Sequence, residues 1–207
     1  MPLHLVDHPL AHDALATLRD KTTTPEHFRR AATRISVLLI AEALKDLTST
    51  SVTVQTPLGP APGRTAGSDV VVVPVLRAGL GMLDAVLELV PSARVGHIGL
   101  QRDEMTAVAS QYYSKLPAKL GESYVLMIDP MLATGGSAVA ALDLLQRSGA
   151  KVIRMICIVA APEGVALVAK HHPEVAIYTP VVDEKLNDHK YIVPGLGDFG
   201  DRLYGTI

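Results

Sequence analysis

The sequence predicts an α/β fold in which helices flank a central, mainly parallel β-sheet. Short β-branched runs recur through the last two thirds of the chain and alternate with helical stretches, an order typical of βαβ units with right-handed crossovers. The runs are almost continuously apolar, as strands covered on both faces are. Ligands of such sheets bind in the loops at the carboxyl ends of the strands, so these loops are the first place to look for function.

Composition predicts one domain, residues 1–207, and argues against several classes of partner. Of the 207 residues, 48% are hydrophobic and 19% are charged, and the net charge is −2. Neither a nucleic-acid partner nor an anionic membrane is therefore expected. The single cysteine, Cys157, excludes an intrachain disulfide and a cysteine-rich metal site. No apolar run approaches the ~18 residues of a membrane span, and we expect a cytoplasmic protein.

The expected elements follow in chain order. A helix begins at residues 24–26, where a capping threonine, a proline and an acid favour a first turn, and its apolar residues recur to about Leu47. Residues 51–57 alternate like a half-buried strand, and residues 57–67 carry the turn residues of a loop or hairpin tip. Five apolar strands are then predicted at residues 71–75, 93–100, 124–129, 152–159 and 175–179. Helices are predicted between most of them, at residues 80–89, 137–147 and 163–171.

The loop after the third apolar strand reads IDPMLATGGS, residues 128–137. Its two glycines let the backbone approach a ligand, its hydroxyls add donors, and a helix N-terminus follows at once, which together predict a phosphate cradle. No lysine follows the glycines, so this is not the ATP-type loop. Asp129 at the strand tip suits ribose hydroxyls or a metal-bound sugar phosphate. The alternative is a plain tight turn in which Asp129 acts as a cap.

Residues 195–200 read GLGDFG, which matches the dinucleotide-binding pattern G-x-G-x-x-G. A dinucleotide fold needs a helix and a further strand after these glycines. Only seven residues follow Gly200, so we expect no such unit. The glycines can instead present backbone N–H and C=O groups to a flat ligand.

The motif at residues 128–137 resembles the phosphoribosyl-diphosphate (PRPP) binding motif of the type I phosphoribosyltransferases. Its DPMLATGGS form resembles the uracil branch of that family. Most of the superfamily carries two adjacent acids here, whereas Asp129 stands alone between Ile128 and Pro130. The resemblance implies the family's fold and assigns PRPP binding to Asp129, Pro130, Met131, Leu132, Ala133, Thr134, Gly135, Gly136 and Ser137.

Two further stretches resemble the family's diphosphate-binding parts. In residues 72–84, VVPVLRAGLGMLD, Arg77 follows the first apolar strand and matches the pyrophosphate loop, although an R-A-G turn alone is equally typical of a solvated turn. In residues 99–117, Arg102 matches a second arginine for the diphosphate. The resemblance gives both arginines a catalytic role and implies a flexible hood over the site at about residues 101–118.

Residues 191–206, YIVPGLGDFGDRLYGT, resemble the family's uracil-recognition segment. By this resemblance Ile192, Gly197, Asp198 and Phe199 line the base site, and Asp198 also faces PRPP through its metal. Asp198 is the best candidate for helping uracil N1 lose its proton, which would make it a third catalytic residue. Position 199 is often alanine in relatives, so the phenylalanine raises the question of how it shapes the pocket wall.

The implied reaction is uracil + PRPP → UMP + diphosphate, a step of pyrimidine salvage. Mg²⁺ is the implied cofactor, carried by PRPP, so no residue is predicted as a direct metal ligand. A homodimer or higher oligomer and a GTP effector are also implied. Two alternatives stay open: a phosphoribosyltransferase for a purine base, and a regulatory module that senses UMP or PRPP while binding RNA. The lack of a basic excess argues against the second.

Overall fold

The computed structural model describes residues 2–102 and 109–206. Its strands in chain order are β1 (Leu3–Leu5), β2 (Ser49–Thr56), β3 (Gly59–Ala66), β4 (Asp69–Leu76), β5 (Arg94–Val95), β6 (His97–Arg102), β7 (Ala109–Lys115), β8 (Ser123–Ile128), β9 (Met131–Leu132), β10 (Val152–Ile156), β11 (Val159–Ala160), β12 (Ala176–Thr179), β13 (Lys185–Leu186) and β14 (Ile192–Val193). The helices are α1 (Pro9–Arg19), α2 (Pro25–Ala43), α3 (Leu80–Leu89), α4 (Gly136–Arg147), α5 (Pro162–His171) and α6 (Phe199–Tyr204), with a 3₁₀ turn at Leu120–Glu122.

In the described part of the chain, the central sheet has eight strands. Seven follow the order β1-β12-β10-β8-β4-β6-β7, and β5 pairs with β4, as β6 does. The pairs are parallel except for β6 with β7. Alternate residues of β4 belong to two hydrophobic cores, one on each face of the sheet, because successive side chains point to opposite faces. Val70 and Val72 pack with α2 and α3, whereas Val71 and Val73 pack with α4. The predicted α/β fold with a mainly parallel sheet flanked by helices is confirmed.

The helix ends follow from local chemistry. The Thr24 hydroxyl accepts a hydrogen bond from the His27 amide at 3.4 Å, and Pro25 occupies the first turn of α2, as the sequence predicts. The helix ends at Ala43, one turn before the predicted Leu47. The first third of the chain was expected to be helical, but the bounds of α1 were not predicted; the His8 ring caps this helix by accepting from the Leu10 amide at 3.1 Å.

The strand expected at residues 51–57 is confirmed as part of β2, and the expected hairpin tip lies at the turn between β2 and β3, but two details were wrong. The first run is not half-buried, and the second is not a loop: β2 and β3 form an antiparallel hairpin that is exposed along most of its length. Pro60 and Pro62 lie within β3 opposite Gln55 and Thr53. Both strands of a two-stranded ribbon are edges, where proline is tolerated, so the prolines that suggested a loop are compatible with this strand.

The predicted hood begins as a strand pair. Strands β6 and β7 run antiparallel, with a register shift between Gly99 and Leu100. Residues 103–108, within the predicted hood, lie outside the described residues. Arg102 ends β6, and the structure describes its backbone alone. In the described ranges, no helix combines the length and the apolar character that crossing a membrane requires.

Candidate active site

A cavity of about 350 Å³ opens beside the carboxyl ends of β4 and β8. Its lining residues come from the loops that follow these strands and from the C-terminal segment: Ala78, Asp129, Met131, Ala133, His189, Lys190, Tyr191, Ile192, Gly197, Asp198, Phe199 and Gly200. A larger cavity of about 640 Å³ lies along the β2–β3 hairpin and contains none of the predicted site residues. The smaller cavity therefore joins the motif predicted for PRPP to the segment predicted for uracil.

The cradle loop leaves the sheet at Asp129. Its start is tied to the neighbouring strand, because the Asp129 amide donates to the Ile156 carbonyl at 3.1 Å and the Pro130 carbonyl accepts from Ile158 at 2.9 Å. Gly135 then adopts φ +85° at the N-terminus of α4, where no side chain caps the helix. The amides of the first turn thus keep the capacity to bind an anion at the positive end of the helix dipole.

Close backbone packing fixes the shape of the cradle. A Cβ atom on Gly164, in the first turn of α5, would lie 2.5 Å from the Ala133 carbonyl oxygen. A Cβ atom on Gly135 would lie 3.0 Å from the Gly164 carbonyl oxygen. The two glycines let α5 pack closely against the loop. Sequence reasoning missed Gly164, because its partners lie about 30 residues earlier in the chain.

Some predicted PRPP residues support the cradle from inside the protein. Pro130, Leu132 and Gly135 are buried, whereas Thr134, Gly136 and Ser137 are partly exposed. The buried members therefore hold the loop, and the partly exposed ones are accessible to a ligand.

The Arg77 turn lies against the end of β8. A Cβ atom on Gly79 would lie 2.5 Å from the Ile128 carbonyl oxygen and 2.7 Å from the Val75 amide nitrogen. The Leu76–Arg77 peptide is cis. Arg77 is exposed and its neighbour Ala78 lines the cavity, which places the arginine at the rim.

Tyr204 ties the far end of α6 to the same turn. Its hydroxyl donates to the Arg77 carbonyl oxygen at 3.3 Å. Desolvation raises the pKa of the Tyr204 phenol, which favours the protonated hydroxyl that donates this hydrogen bond. The turn predicted for diphosphate is thereby joined to the helix that starts in the uracil segment.

Two turns shape the segment predicted for uracil. The Val193–Pro194 peptide is cis, and Gly195 and Gly197 have φ values of +58° and +82°. Asp198 then caps α6 by accepting from the Asp201 amide at 2.9 Å. Asp198 is exposed and lines the cavity, so one of its carboxylate oxygens serves the helix while the other stays available.

The structure answers the question raised by Phe199. This residue is only 1% exposed, and its ring lies edge-on to that of Phe28, with 5.1 Å between the centroids and 62° between the planes. The ring belongs to the core beneath the cavity and does not project into it. Its size is therefore compatible with a ligand that contacts the backbone at this position.

Charged side chains from distant positions hold this segment. The Arg19 guanidinium binds both carboxylate oxygens of Asp183, at 2.6 and 2.9 Å, and also donates to the Gly195 carbonyl at 2.8 Å. Arg202 donates to the Leu196 carbonyl at 2.7 Å. Sequence reasoning assigned no role to these three charged residues: Arg19 and Asp183 lie outside the predicted motifs, and Arg202 lies within residues 191–206 but was not singled out.

The tight connection between β13 and β14 brings His189 and Lys190 to the cavity. The Asn187 side chain accepts from the Tyr191 amide at 2.9 Å, and Lys190 takes φ +65°. Sequence reasoning did not predict that His189 and Lys190 would line the cavity. The Asn-Asp pair at 187–188 before the apolar Tyr-Ile-Val run is a turn signal that could have predicted this hairpin.

The fold identifies the structural class to which this protein belongs. A hypoxanthine-guanine phosphoribosyltransferase from Bacillus anthracis shares the fold, with a TM-score of 0.54 at 11% identity over 77% of this chain and 80% of that one. The predicted cradle loop and Arg77 turn follow strands of the shared sheet. The architecture is that of the type I phosphoribosyltransferases.

Closer relatives define the family. The family model for uracil phosphoribosyltransferase matches residues 5–206. A uracil phosphoribosyltransferase from Dictyoglomus thermophilum is 52% identical over 203 residues, which is 98% of each chain. A solved protein from Aquifex aeolicus superposes with a TM-score of 0.93 at 39% identity, covering 98% of this chain and 97% of that one. The chain belongs to the uracil phosphoribosyltransferase family.

Proposed function

We propose that this chain transfers the phosphoribosyl group of PRPP to N1 of uracil, releasing diphosphate and UMP. The observation that carries this proposal is the shared cavity, in which the cradle residues Asp129, Met131 and Ala133 face the segment that contains Gly197 and Asp198. A transfer between two small molecules needs such a common space, because the reacting atoms must approach to about 3–3.5 Å.

In this proposal PRPP lies across the carboxyl ends of β4 and β8. The uncapped N-terminus of α4, with the Thr134 and Ser137 hydroxyls, receives the 5′-phosphate. Asp129 receives the ribose hydroxyls. Arg77 at the rim receives the diphosphate, for which a guanidinium offers paired donors. Arg102 is proposed to add a second positive charge from the end of β6.

The reaction breaks the bond between the anomeric carbon and the diphosphate oxygen and forms the bond from that carbon to N1. The diphosphate leaves with the bonding electron pair, so negative charge grows on it while the ribose gains oxocarbenium character. Stabilising that charge is the main task of Arg77 and Arg102. The N1 proton is lost during the transfer, and Asp198 is the carboxylate of the uracil segment that can accept it.

The donor set of the cavity is compatible with Mg²⁺ carried by PRPP. Asp129 and Asp198 are the two carboxylates among the lining residues, and Mg²⁺ is typically held by one or two carboxylates together with substrate phosphates and water. These two residues would face the ion. When bound, Mg²⁺ supplies positive charge that neutralises the diphosphate.

Uracil is proposed to bind through backbone groups of residues 197–199, beside Ile192. Its edge alternates acceptor, donor and acceptor, which peptide C=O and N–H groups can match without a polar side chain. The φ value of +82° at Gly197 gives this stretch a turn that favours glycine. Hypoxanthine and guanine present different edges, so the same backbone should discriminate against them.

The test is UMP formation from uracil and PRPP, with and without Mg²⁺, beside parallel reactions with hypoxanthine and guanine. We expect Mg²⁺-dependent UMP and no comparable turnover of the purines. Faster transfer to hypoxanthine or guanine would replace the proposal with a purine enzyme. RNA binding at moderate salt without any transfer would favour a regulatory module.

Three further features are proposed from the resemblance: a homodimer or higher oligomer, activation by GTP and a cytoplasmic location. Light scattering of the purified protein tests the first, and the initial rate with and without GTP tests the second. Fractionation of the source cells tests the third.

A further inference from the structure

We propose that the Arg19–Asp183 ion pair is the positioning device of the uracil-binding segment and sets the affinity for the base. This inference rests on the proposed function, since it assumes that residues 197–199 contact uracil. It adds two residues that neither the sequence motifs nor the resemblance assigns to the site.

The pair holds both polar groups of one residue of the segment. Arg19 donates to the Gly195 carbonyl at 2.8 Å, while the Gly195 amide donates to the Asp183 carboxylate at 2.8 Å. The guanidinium and the carboxylate bind each other through two contacts, at 2.6 and 2.9 Å. Gly195, Arg19 and Asp183 thus form a closed ring of hydrogen bonds, which fixes where the segment begins.

The surroundings make this ring strong. The Asp183 side chain is 4% exposed and that of Arg19 is 25% exposed, and hydrogen bonds between charged groups are stronger when water is excluded. Removing one member of such a pair leaves the other charge buried without compensation. The segment should therefore shift when either side chain is changed.

The turn at Gly195 depends on glycine as well as on the ion pair. Its φ is +58°, and a Cβ atom there would lie 2.1 Å from the Ile192 carbonyl oxygen. The chain makes a tight turn here, two residues before Gly197 enters the cavity. A shift of the Gly195 peptide moves the peptide groups proposed to bind uracil, whereas the cradle at residues 129–137 is held by other contacts.

The experiment measures KM for uracil, KM for PRPP and kcat in the wild type, Asp183→Asn, Arg19→Lys and the double variant Arg19→Gln/Asp183→Asn. We expect KM for uracil to rise by about tenfold or more in Asp183→Asn, because a displacement of about 1 Å can cost a hundredfold in an active site. KM for PRPP should stay near the wild-type value. The double variant should be no worse than Asp183→Asn, since the two residues act as a unit.

A second ion pair of the molecule provides the matched control. Arg154 binds both oxygens of Asp46 at 2.5 and 2.7 Å, and neither residue lines the cavity. Asp46→Asn likewise removes a charge from a two-contact pair, with the difference that the Asp46 side chain is 68% exposed and that of Asp183 is 4% exposed. We expect a lower Tm with unchanged KM for uracil.

The outcomes separate the two proposals. A wild type that makes no UMP from uracil and PRPP overturns the proposed function, and this inference with it. An active wild type whose Asp183→Asn and Arg19→Lys variants keep the wild-type KM for uracil overturns this inference alone. Equal rises in both KM values would likewise overturn it, because they indicate general loosening of the fold. If Asp183→Asn does not fold, Arg19→Lys decides the matter, since it keeps the positive charge but not the planar fork.

Discussion

The two halves of the candidate site are built by different means. The phosphate half, residues 77–79 and 129–137, is held by backbone packing, in which glycines press loops against strand ends. The base half, residues 189–200, is held largely by side chains, with Arg19 reaching Gly195 across 176 positions of the chain. The difference teaches that one pocket can combine a locally encoded motif with a segment whose position depends on remote charges.

The largest effect is expected at the rim of the phosphate half. Arg77→Ala removes a positive charge from the place proposed for the leaving diphosphate, and kcat should fall by about 10²–10³. Steady-state kinetics with varied PRPP measures the loss. Arg147→Ala, an exposed arginine in the last turn of α4, is the control and should leave kcat unchanged. An unaltered kcat/KM for PRPP in Arg77→Ala would remove Arg77 from the mechanism.

A smaller loss is expected when the cradle backbone is disturbed. Gly135→Ala combines an unfavourable φ of +85° with a new contact 3.0 Å from Gly164. It should lower kcat/KM for PRPP by about 10- to 100-fold, since the loop must move. Gly149→Ala is the matched control, because Gly149 has φ +93° and open space around its Cβ position.

Both glycine variants should lose about 1–2 kcal/mol of unfolding free energy to the left-handed backbone. Chemical denaturation measures this cost. If Gly149→Ala impaired PRPP use as much as Gly135→Ala, the packing account of the phosphate half would be wrong.

In the base half, the Arg202 guanidinium donates to three backbone carbonyls, those of Leu18, Asp20 and Leu196. It also packs over the Phe28 ring, with 4.5 Å between the guanidinium carbon and the ring centroid. Arg202→Lys cannot keep all of these contacts. KM for uracil should rise by about 2- to 10-fold, as the loss of one hydrogen bond of about 0.5–1.5 kcal/mol predicts.

Arg29→Lys is the control for Arg202→Lys, because Arg29 donates to the Leu203 carbonyl at the other end of α6. It should not change KM for uracil. A larger effect at Arg29 than at Arg202 would show that the position of α6, rather than that of residues 195–197, governs base binding.

The smallest kinetic effect is expected at Phe199. Phe199→Leu removes the edge-on contact with Phe28, which should cost about 0.5–1.5 kcal/mol of unfolding free energy. Because the ring lies in the core, KM for uracil should stay unchanged. Thermal unfolding and uracil kinetics are measured together, with Phe28→Leu as the partner variant. A change in KM for uracil without a loss of stability would show that the Phe199 ring contacts the ligand.

Sequence reasoning recovered the parts of the molecule whose causes are local. The loop proposed as the cradle occupies consecutive residues after one strand, the start of α2 depends on Thr24 and Pro25, and helix α3 has the predicted bounds, residues 80–89. Each of these features is determined by neighbours within one or two turns. That is why their positions could be predicted before any tertiary contact was known.

The missed parts depend on distant or unusual pairings. Asp183 and Arg19 are 164 positions apart, so no local pattern connects them. Strand β3 was interpreted as a loop or hairpin tip because its prolines and glycines are typical of loops, while its pairing is set by register along β2. His189 and Lys190 reach the cavity only because a turn at Asn187 folds the chain back.

The most direct test of this division is a single kinetic comparison of Gly135→Ala and Asp183→Asn, with KM for PRPP and KM for uracil measured for each. We expect opposite results: Gly135→Ala raises mainly KM for PRPP, and Asp183→Asn raises mainly KM for uracil. If both variants raised both constants by the same factor, the two halves would not be positioned independently and the account would be contradicted.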